Sequence, residues 1–354
     1  MKQGLPDPKF WRGRRVLLTG HTGFKGAWAA LWLAEMGATV SCVALAPDQT
    51  PNLFELAKVG TRVNSVFGDI CDADVVRDAV REAKPQIILH LAAQALVRRS
   101  YREPAATFAS NVMGTVNVLD AARTAEGLEV CLAVTSDKVY ENDGTGRAFD
   151  ESARLGGHDP YSASKAAAEI VVASYRDSFF TGGAAKVATA RGGNVIGGGD
   201  FSEDRIVPDI WRAHRAGEAL ILRYPAATRP WQHVLDCLSG YLVYAERLAQ
   251  GTTGATALNF GPREKNGRTV SELVAAMQGA IGAKAGWKQA EGPQPKEMPA
   301  LALSCELAGR ELGWQSHLDA AQAIEWTASW YKAFAAGEDA AKITQQQIRA
   351  FADV

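Results

Sequence analysis

The apolar residues in the first half of the chain fall in short runs that glycine and polar residues interrupt. Short apolar runs bounded in this way are typical of strands buried in a parallel sheet. They cover residues 15–19, 39–45, 63–67, 87–91, 130–135 and 186–190. Amphipathic stretches between them predict helices at 24–36, 73–83, 104–123 and 159–180. The alternation predicts an α/β fold, a Rossmann-type doubly wound parallel sheet with helices on both faces.

The pattern changes after about residue 192, where glycines cluster and the apolar runs shorten. Predicted helices at 205–215, 234–249, 269–281 and 318–334 are separated by long irregular stretches. We therefore predict a first domain at residues 1–192, completed by a segment near 232–262. A smaller mixed α/β lobe is expected to take up most of 193–354.

Composition excludes several classes of protein. The 354 residues carry a formal net charge of −1, which argues against a polybasic nucleic-acid or membrane footprint. No apolar stretch approaches the roughly 20 residues that a membrane helix needs. The five cysteines are dispersed without a C-x-x-C pair, which indicates reduced thiols and predicts a cytoplasmic protein. The six histidines are dispersed as well, so we expect no metal site.

A glycine turn joins the first predicted strand to its helix. Gly20, Gly23 and Gly26 have the spacing G-x-x-G-x-x-G and enclose Thr22 and Phe24. Glycines at such a turn let backbone N–H groups approach a pyrophosphate at the helix N-terminus, so the turn predicts a dinucleotide site. His21 and Lys25 are expected to be partly solvated residues of this turn.

The ends of the next strands give weaker indications about a dinucleotide. Asp69, followed by Ile70, has two possible roles: its carboxylate accepts from an adenine amino group, or it caps the helix that begins near Ala73. Ala46 stands where an acidic residue often binds a ribose hydroxyl, with Asp48 two positions later. The choice between NAD and NADP is therefore open on these residues.

Candidate acid–base residues lie near the middle of the chain. Tyr161 and Lys165 are four residues apart on a predicted helix and share one face. A cation beside a phenol lowers its pKa, which favours Tyr161 as an acid or base. Ser136, Asp137 and Lys138 directly follow a buried strand, at the sheet edge where cofactors of such folds bind.

These motifs resemble known proteins over residues 10–334. The glycine turn, 90–94, 111–115 and the Tyr161/Lys165 pair are similar to the extended short-chain dehydrogenase/reductase family. Residues 96–101, 135–138, 191–200 and 229–234 resemble the CDP-glucose 4,6-dehydratases within it. Lys138 is the most distinctive residue, because dTDP-glucose 4,6-dehydratases have glutamate there. Ala46 and the segment 141–150 depart from the pattern.

The resemblance implies an NAD-dependent hydro-lyase that converts CDP-D-glucose to CDP-4-dehydro-6-deoxy-D-glucose. It implies oxidation at C4, elimination of water across C5 and C6, and hydride return to C6. Tyr161, helped by Lys165, would take the C4 hydroxyl proton, and Ser136 or Thr135 would bind the developing carbonyl. Lys138 would remove the C5 proton or, as a cation, stabilise the enolate. Asp137 would protonate the leaving hydroxyl.

The resemblance also implies binding sites and an assembly. The cofactor set is Gly20, Thr22, Gly23, Phe24, Gly26, Asp69, Ile70, Leu91, Ala92, Ala93, Tyr161 and Lys165. The set for CDP-glucose is Gln94, Arg98, Ser100, Tyr101, Asn194, Arg205 and Arg229. A homodimer or higher homo-oligomer is expected, with the long helices 104–123 and 159–180 packed against their mates.

Three alternative functions remain open on the sequence. The chain could be another nucleotide-sugar 4,6-dehydratase, a 4-epimerase or reductase of the same family, or a cofactor-sensing regulatory protein on the same scaffold. An epimerase or reductase has no need of an acid and a base for eliminating water, which is what Asp137 and Lys138 offer. A regulatory protein has no need of Tyr161, Lys165 and Asp137 together.

Overall fold

A seven-stranded parallel sheet forms the centre of the structure, a computed structural model that describes residues 4–183, 185–263, 267–292 and 300–354. From one edge to the other its strands are β12 (Ala257–Phe260), β7 (Lys186–Gly192), β5 (Val130–Val134), β4 (Ile87–His90), β1 (Arg15–Thr19), β2 (Thr39–Ala44) and β3 (Asn64–Phe67). Each neighbouring pair is parallel. The predicted α/β Rossmann-type fold is confirmed.

The remaining strands are short and pair outside this sheet. They are β6 (Ala148–Phe149), β8 (Asn194–Ile196), β9 (Leu220–Leu222), β10 (Thr228–Arg229), β11 (Trp231–His233), β13 (Arg268–Thr269), β14 (Trp287–Gln289) and β15 (Ala302–Leu303). Most belong to the region after Gly192. After β7 the chain leaves the sheet, forms β8 to β11 with the helices Ile206–Ala216 and Val234–Ala249, and returns to place β12 beside β7; β13, β14 and β15 then pair with β10, β9 and β6.

The helices predicted from the sequence are present near their expected positions, except that the one at 104–123 is divided by a π-helical turn. The helices of the structure are α1 (Pro8–Trp11), α2 (Phe24–Glu35), α3 (Leu53–Leu56), α4 (Ala73–Ala83), α5 (Val97–Arg102), α6 (Pro104–Phe108), α7 (Gly114–Arg123), α8 (Pro160–Phe179), α9 (Ile206–Ala216), α10 (Val234–Ala249), α11 (Val270–Ile281), α12 (Glu306–Leu312), α13 (Ala320–Ala335) and α14 (Ala340–Ala352). Of these, α1, α3, α5, α12 and α14 are not among those predicted. A π-helical turn, Ala109–Met113, joins α6 to α7, and 3-10 turns lie at Val59–Thr61 and Asp137–Val139.

Alternate residues of the sheet pack into two separate cores. Val16, Leu18 and Leu132 belong to the larger core, with α2, α10 and α13. Leu17 and Ile88 face the other way, toward α4, α7 and α8. Successive side chains of a strand point to opposite faces, so the fully apolar strands predicted from the sequence are those that helices cover on both sides.

Strand β3 differs from its prediction. The apolar run at 63–67 predicts a buried strand, but β3 is the edge of the sheet, and Val66 and Phe67 are 51% and 57% exposed. An edge strand has a neighbour on one side only, so apolar side chains there keep much of their surface in contact with solvent.

Candidate active site

The glycine turn closes against the end of the neighbouring strand. Gly20 has φ +86°, and a Cβ there would lie 2.7 Å from the Ala92 nitrogen. A Cβ on Gly26 would lie 2.0 Å from the Gly20 oxygen, so helix α2 approaches the turn as closely as its backbone allows. Gly23 is the N-cap of α2 and is exposed, and no side chain caps this helix. The first turn of α2 therefore offers backbone N–H groups to an anion.

His21 is buried, contrary to the prediction of a partly solvated residue. Its Nε2 and the Ser65 Oγ are 2.7 Å apart, and the ring is packed edge-on against Phe54. Burial lowers its pKa to about 4, so the imidazole is neutral at pH 7. Lys25 is half-buried, as predicted, and its ammonium lies 5.9 Å from the centroid of the Tyr241 ring.

Asp69 does not cap helix α4, so that alternative is wrong. Asp72 is the N-cap and accepts from the backbone N–H groups of Asp74 and Val75. The exposed Asp69 accepts from the N–H of Cys71 at 2.9 Å and stays a candidate for the adenine. Ile70 is buried against Gly114, where a Cβ would lie 2.5 Å from the isoleucine Cδ1.

Other predicted cofactor residues surround the same turn. Thr22 Oγ1 donates to the Leu45 carbonyl at 2.9 Å, and Phe24 packs beside Gly197. Leu91, Ala92 and Ala93 follow β4, where the Ala92 N–H donates to Thr19 Oγ1 at 3.0 Å. The structure therefore brings together the glycine turn and the carboxyl ends of β1, β2 and β4.

Ser136, Asp137 and Lys138 form a compact polar group at the end of β5. Both the Ser136 hydroxyl and the Lys138 ammonium donate to Asp137 Oδ1, each at 3.0 Å. Asp137 is 1% exposed, and its Oδ2 is buried with no hydrogen-bond partner among the described residues. Lys138 is 26% exposed. A buried acceptor without a partner is costly in a folded protein, so Oδ2 is available to a polar group of a ligand or to a water molecule.

Tyr161 and Lys165 lie in the first half of α8, as predicted from the spacing. Asp159 caps this helix by accepting from the Ser162 N–H, and Pro160 occupies its first position. Tyr161 is 7% exposed, and the Ser136 side chain lies near enough to its phenol to oppose the rise of its pKa, so the two groups of candidate catalytic residues lie together. Lys165 donates to the carbonyl of Val134 at 3.1 Å.

The electrostatics of this pair differ from the sequence expectation. Burial raises the pKa of Tyr161 above its ordinary value, and the nearby Ser136 side chain is the main opposing influence. Burial also lowers the pKa of Lys165 to about 7, with a further lowering by the charge of Lys25. Because Lys165 is itself desolvated, the protein alone does not provide the fully charged ammonium that was expected to lower the phenol pKa.

Thr135 is not free to bind a substrate carbonyl. Its hydroxyl donates to Glu169 Oε1 at 2.5 Å, so of the two candidate donors only Ser136 lies beside Tyr161. Glu169 is also paired with Arg191 at 2.7 Å, and both side chains are at most 5% exposed. This buried pair was missed in the sequence. The spacing Tyr161, Lys165, Glu169 is i, i+4, i+8 and places all three on one face of α8.

A cavity of about 520 Å³ opens beside these residues, between the sheet edge and the region after Gly192. The predicted residues that line it are Arg98, Tyr101, Lys138, Asn194, Arg205 and Arg229. Arg98 pairs with Asp204 at 3.1 Å, and Arg205 donates to the Ala95 carbonyl at 2.7 Å. Four guanidinium or amide groups at one opening are suited to phosphate oxygens.

Gln94 and Ser100, also predicted for the substrate, make internal hydrogen bonds. The Gln94 side chain binds the backbone of Leu96 and the hydroxyl of Thr107. Ser100 Oγ accepts from the Tyr161 N–H at 3.2 Å and donates to the Val97 carbonyl. Among the residues described, no His, Cys, Asp and Glu side chains form a group of three or more suited to a metal.

Comparison with known proteins shows the family to which the chain belongs. The sequence profile of the GDP-mannose 4,6 dehydratase family matches residues 17–327. A CDP-glucose 4,6-dehydratase of Salmonella typhimurium is 41% identical over 348 residues, which are 97% of each chain.

Two solved structures are similar over nearly the whole fold. A double mutant of the dTDP-glucose 4,6-dehydratase DesIV of Streptomyces venezuelae, with NAD bound, has a TM-score of 0.77, 26% identity, and coverage of 90% of this chain and 97% of that one. The UDP-glucose 4-epimerase of Thermotoga maritima has a TM-score of 0.79 at 20% identity, with 90% and 99% covered, and supports the fold alone. The chain belongs to the GDP-mannose 4,6 dehydratase family, within the extended short-chain dehydrogenases/reductases.

The arrangement combines two chemistries at one edge of the sheet. Tyr161 and Lys165 are suited to moving a hydroxyl proton during oxidation, and the Asp137/Lys138 pair offers an acid and a base for elimination. The described helices include none that is both long and apolar enough to span a membrane.

Proposed function

We propose that the protein is an NAD-dependent CDP-glucose 4,6-dehydratase that forms CDP-4-dehydro-6-deoxy-D-glucose and water. The ion pair of Asp137 and Lys138, hydrogen-bonded to Ser136 and close to Tyr161, is the observation that carries this proposal. The 41% identity to a CDP-glucose 4,6-dehydratase supports the choice of base and sugar.

The residues around the glycine turn fit NAD. A side chain at Gly20 or Gly26 would collide with the backbone, and the uncapped N-terminus of α2 is suited to the pyrophosphate. When bound, NAD supplies an acceptor for the C4 hydride and its return to C6, and its oxidised ring is a cation that favours the phenolate. Tyr161 and Lys165 then complete the site from α8.

Oxidation uses Tyr161 as the base. The phenolate takes the proton of the C4 hydroxyl while the hydride leaves C4, and Ser136 donates a hydrogen bond to the carbonyl oxygen that forms. Lys165 holds the tyrosine end of α8 against β5 through its bond to Val134 and supplies positive charge in the fraction of molecules that are protonated.

Elimination needs a neutral base and a protonated acid, and one proton transfer provides both. If the proton between Lys138 Nζ and Asp137 Oδ1 moves to the carboxylate, the ion pair becomes a free amine and a carboxylic acid. The amine removes the C5 proton, the C6–O bond breaks, and Asp137 gives its proton to the departing hydroxyl. When the hydride is returned to C6, the Lys138 ammonium, whose protons exchange with solvent, gives a proton to C5 and becomes an amine again. The proton that Tyr161 took from C4 replaces the one that Asp137 lost, so one water leaves in total.

The decisive experiment follows the hydrogen atoms. CDP-glucose deuterated at C4, mixed with unlabelled CDP-glucose, is converted in normal water, and the product is analysed by NMR and mass spectrometry. We expect the C4 label on C6 of the same molecule, and, when the solvent is heavy water, deuterium at C5. Return of label to C4 would instead establish an epimerase, and consumption of added reduced cofactor a reductase.

Assembly and location extend the proposal. Helices α6 to α8 pack side by side and expose Phe108, Met113 and Ile170, of which Ile170 is 61% exposed. An apolar surface of this kind on two adjacent helices fits a second copy of the chain, so we propose a homodimer formed there. All five cysteines are free thiols, which agrees with a cytoplasmic location.

A further inference from the structure

A buried ion pair holds the segment of the chain that carries the elimination residues. This segment, the catalytic turn, comprises residues 135–140 and connects β5 to the cavity. Its first and last residues are Thr135 and Tyr140, whose hydroxyls bond to Glu169 and Arg191; Tyr140 also lies in the wall of the cavity. Ser136, Asp137 and Lys138 lie between them and are directed toward the site.

Both ends of the catalytic turn are fixed to Glu169. At the first end, the Thr135 hydroxyl donates to Glu169 Oε1 at 2.5 Å. At the last end, Arg191 Nη1 donates to the Tyr140 hydroxyl at 2.8 Å, while its Nε and Nη2 donate to the two Glu169 oxygens at 3.0 and 2.7 Å. The Glu169 carboxylate therefore binds Thr135, at the start of the turn, directly, and binds Tyr140, at its end, through the Arg191 guanidinium.

Glu169 is rigidly related to the oxidation residues. It lies four residues after Lys165 and eight after Tyr161 on helix α8, and all three are buried. Two turns of a regular helix fix the distance between Glu169 and Tyr161. Any displacement of the catalytic turn relative to Glu169 is therefore a displacement of Asp137 and Lys138 relative to Tyr161.

The Tyr140 hydroxyl has one partner as a donor and one as an acceptor of hydrogen bonds. It accepts from Arg191 and donates to Asn259 Oδ1 at 2.7 Å, and its ring is stacked on Phe149 with centroids 5.2 Å apart. Burial raises its pKa to about 12, so it remains a neutral phenol and has no proton to exchange at neutral pH. Its contribution is a fixed position, and it has no acid–base role.

We propose that Glu169, Arg191, Thr135 and Tyr140 act as positioning residues that set the distance between the oxidation pair and the elimination pair. This inference rests on the proposed dehydratase function and adds residues that do not touch the reacting atoms. Elimination follows oxidation on the same bound sugar, so both sets of groups must be placed at once. A small misplacement of one set slows its own step and leaves the other nearly intact.

The test uses two variants that each release one end of the catalytic turn. Tyr140→Phe removes the links to Arg191 and Asn259, and Thr135→Val removes the link to Glu169 while keeping the side-chain volume. Matched controls are Tyr244→Phe, which loses a buried hydroxyl bound to the Ala255 carbonyl, and Thr189→Val, which loses a donor to the same Glu169 from strand β7. The controls remove comparable hydrogen bonds without touching the turn.

Two readouts separate positioning from simple loss of stability. The first is the fraction of NAD that is reduced during steady-state turnover of CDP-glucose, measured by absorbance. The second is the isotope effect on kcat with substrate deuterated at C5. In both turn variants we expect kcat to fall roughly 10- to 100-fold, the reduced fraction to rise, and the C5 isotope effect to increase, because C5–H removal becomes limiting.

The controls define the outcome that would overturn the proposal. If Thr189→Val and Tyr244→Phe shift the reduced fraction as much as Thr135→Val and Tyr140→Phe, the network is only structural. If the reduced fraction and the C5 isotope effect are unchanged in both turn variants, the network is likewise only structural. If one turn variant does not fold, the other decides. Failure of the wild-type protein to dehydrate CDP-glucose contradicts the proposed function instead, and is detected before any variant is compared.

Discussion

Asp137 and Lys138 are neighbours in the sequence whose side chains meet because the backbone turns directly after β5. The 3-10 turn Asp137–Val139 follows an extended Ser136, whose hydroxyl accepts from the Lys138 N–H at 3.2 Å. In a continuing strand these two side chains would point to opposite faces. The turn therefore converts adjacent residues into an acid and a base on one side of a sugar.

Replacement of Tyr161 tests the oxidation step at this scale. Tyr161→Phe removes the proton acceptor, so we expect a folded protein with turnover lowered by at least ~100-fold. Turnover is measured by mass spectrometry of the 4-keto product. Tyr244→Phe, which removes a buried hydroxyl elsewhere, is the control and is expected to keep most of its activity. Near wild-type turnover by a folded Tyr161→Phe protein would remove this residue from the mechanism.

Replacement of Lys138 tests the elimination step. Lys138→Ala leaves oxidation possible but removes the base for the C5 proton, so reduced cofactor is expected to accumulate after CDP-glucose is added. The absorbance of the reduced nicotinamide measures this directly. Added small primary amines are expected to restore part of the water elimination. Elimination at the normal rate in Lys138→Ala would show that another group removes the proton.

At the scale of elements, the glycine turn is constrained by how closely α2 approaches β1 and β4. We expect Gly26→Ala to destabilise the protein by about 2 kcal/mol, because the added methyl group would meet the Gly20 oxygen at 2.0 Å. Gly23→Ala, whose Cβ would lie 3.5 Å from the same oxygen, is expected to change stability by less than about 0.5 kcal/mol. Urea unfolding of the two variants measures the difference, and equal losses would contradict the packing argument.

The sequence predicts elements whose pattern is local and misses features that depend on distant neighbours. Asp159 and Pro160 mark the start of α8 because capping is decided within one turn. The exposure of β3 depends on which strand lies at the edge of the sheet, and the burial of His21 depends on Ser65, 44 residues away. Periodicity carries no information on either.

In the candidate site too, the sequence predicts the residues that belong to local motifs and misses those that depend on distant neighbours. Ser136, Asp137, Lys138, Tyr161 and Lys165 are found together because motifs at strand ends and helix starts meet at one edge of a parallel sheet. The pair of Glu169 and Arg191 was missed because a lone charge on a helix or strand is usually exposed, and only the fold brings these two residues together.

At the scale of the molecule, Glu246 links the beginning of the chain to helix α10. Its Oε1 accepts from the Asp7 N–H at 2.7 Å and the Trp11 Nε1 at 2.5 Å. Burial raises the pKa of Glu246 from 4.5 to about 7. Between these pH values the folded protein holds a proton that the unfolded chain has lost, so stability decreases as the pH rises through this range.

Glu246→Gln tests this linkage. The amide does not titrate, so the free energy of unfolding of the variant is expected to fall less than that of the wild type between about pH 5 and about pH 8. Each unit of pKa shift is worth about 1.4 kcal/mol, which predicts a difference of a few kcal/mol. Urea unfolding at several pH values measures both curves, and parallel curves would mean that Glu246 titrates normally.

The exposed surface of α6 to α8 makes a prediction about assembly. Ile170→Glu places a charge at the centre of the proposed dimer contact, so sedimentation is expected to show a dimer for the wild type and a monomer for the variant. Val66→Glu, at an apolar position on β3 that is 51% exposed, is the control and is expected to remain dimeric. A wild-type monomer, or dissociation by both substitutions, would place the contact elsewhere or exclude it.

Strand β12 is the last of the seven sheet strands to be synthesised, and this order affects folding during translation. A ribosome that has released residues up to Gly192 has delivered six of the seven sheet strands, and the open edge of β7 must wait for Ala257–Phe260. An unpaired strand edge readily pairs with other chains. The edge of β7 in the nascent protein is therefore unpaired while roughly the next 65 residues are translated, at about 5–20 residues per second. Slow translation or premature termination in this interval would produce aggregation-prone fragments, whichever substrate the finished enzyme uses.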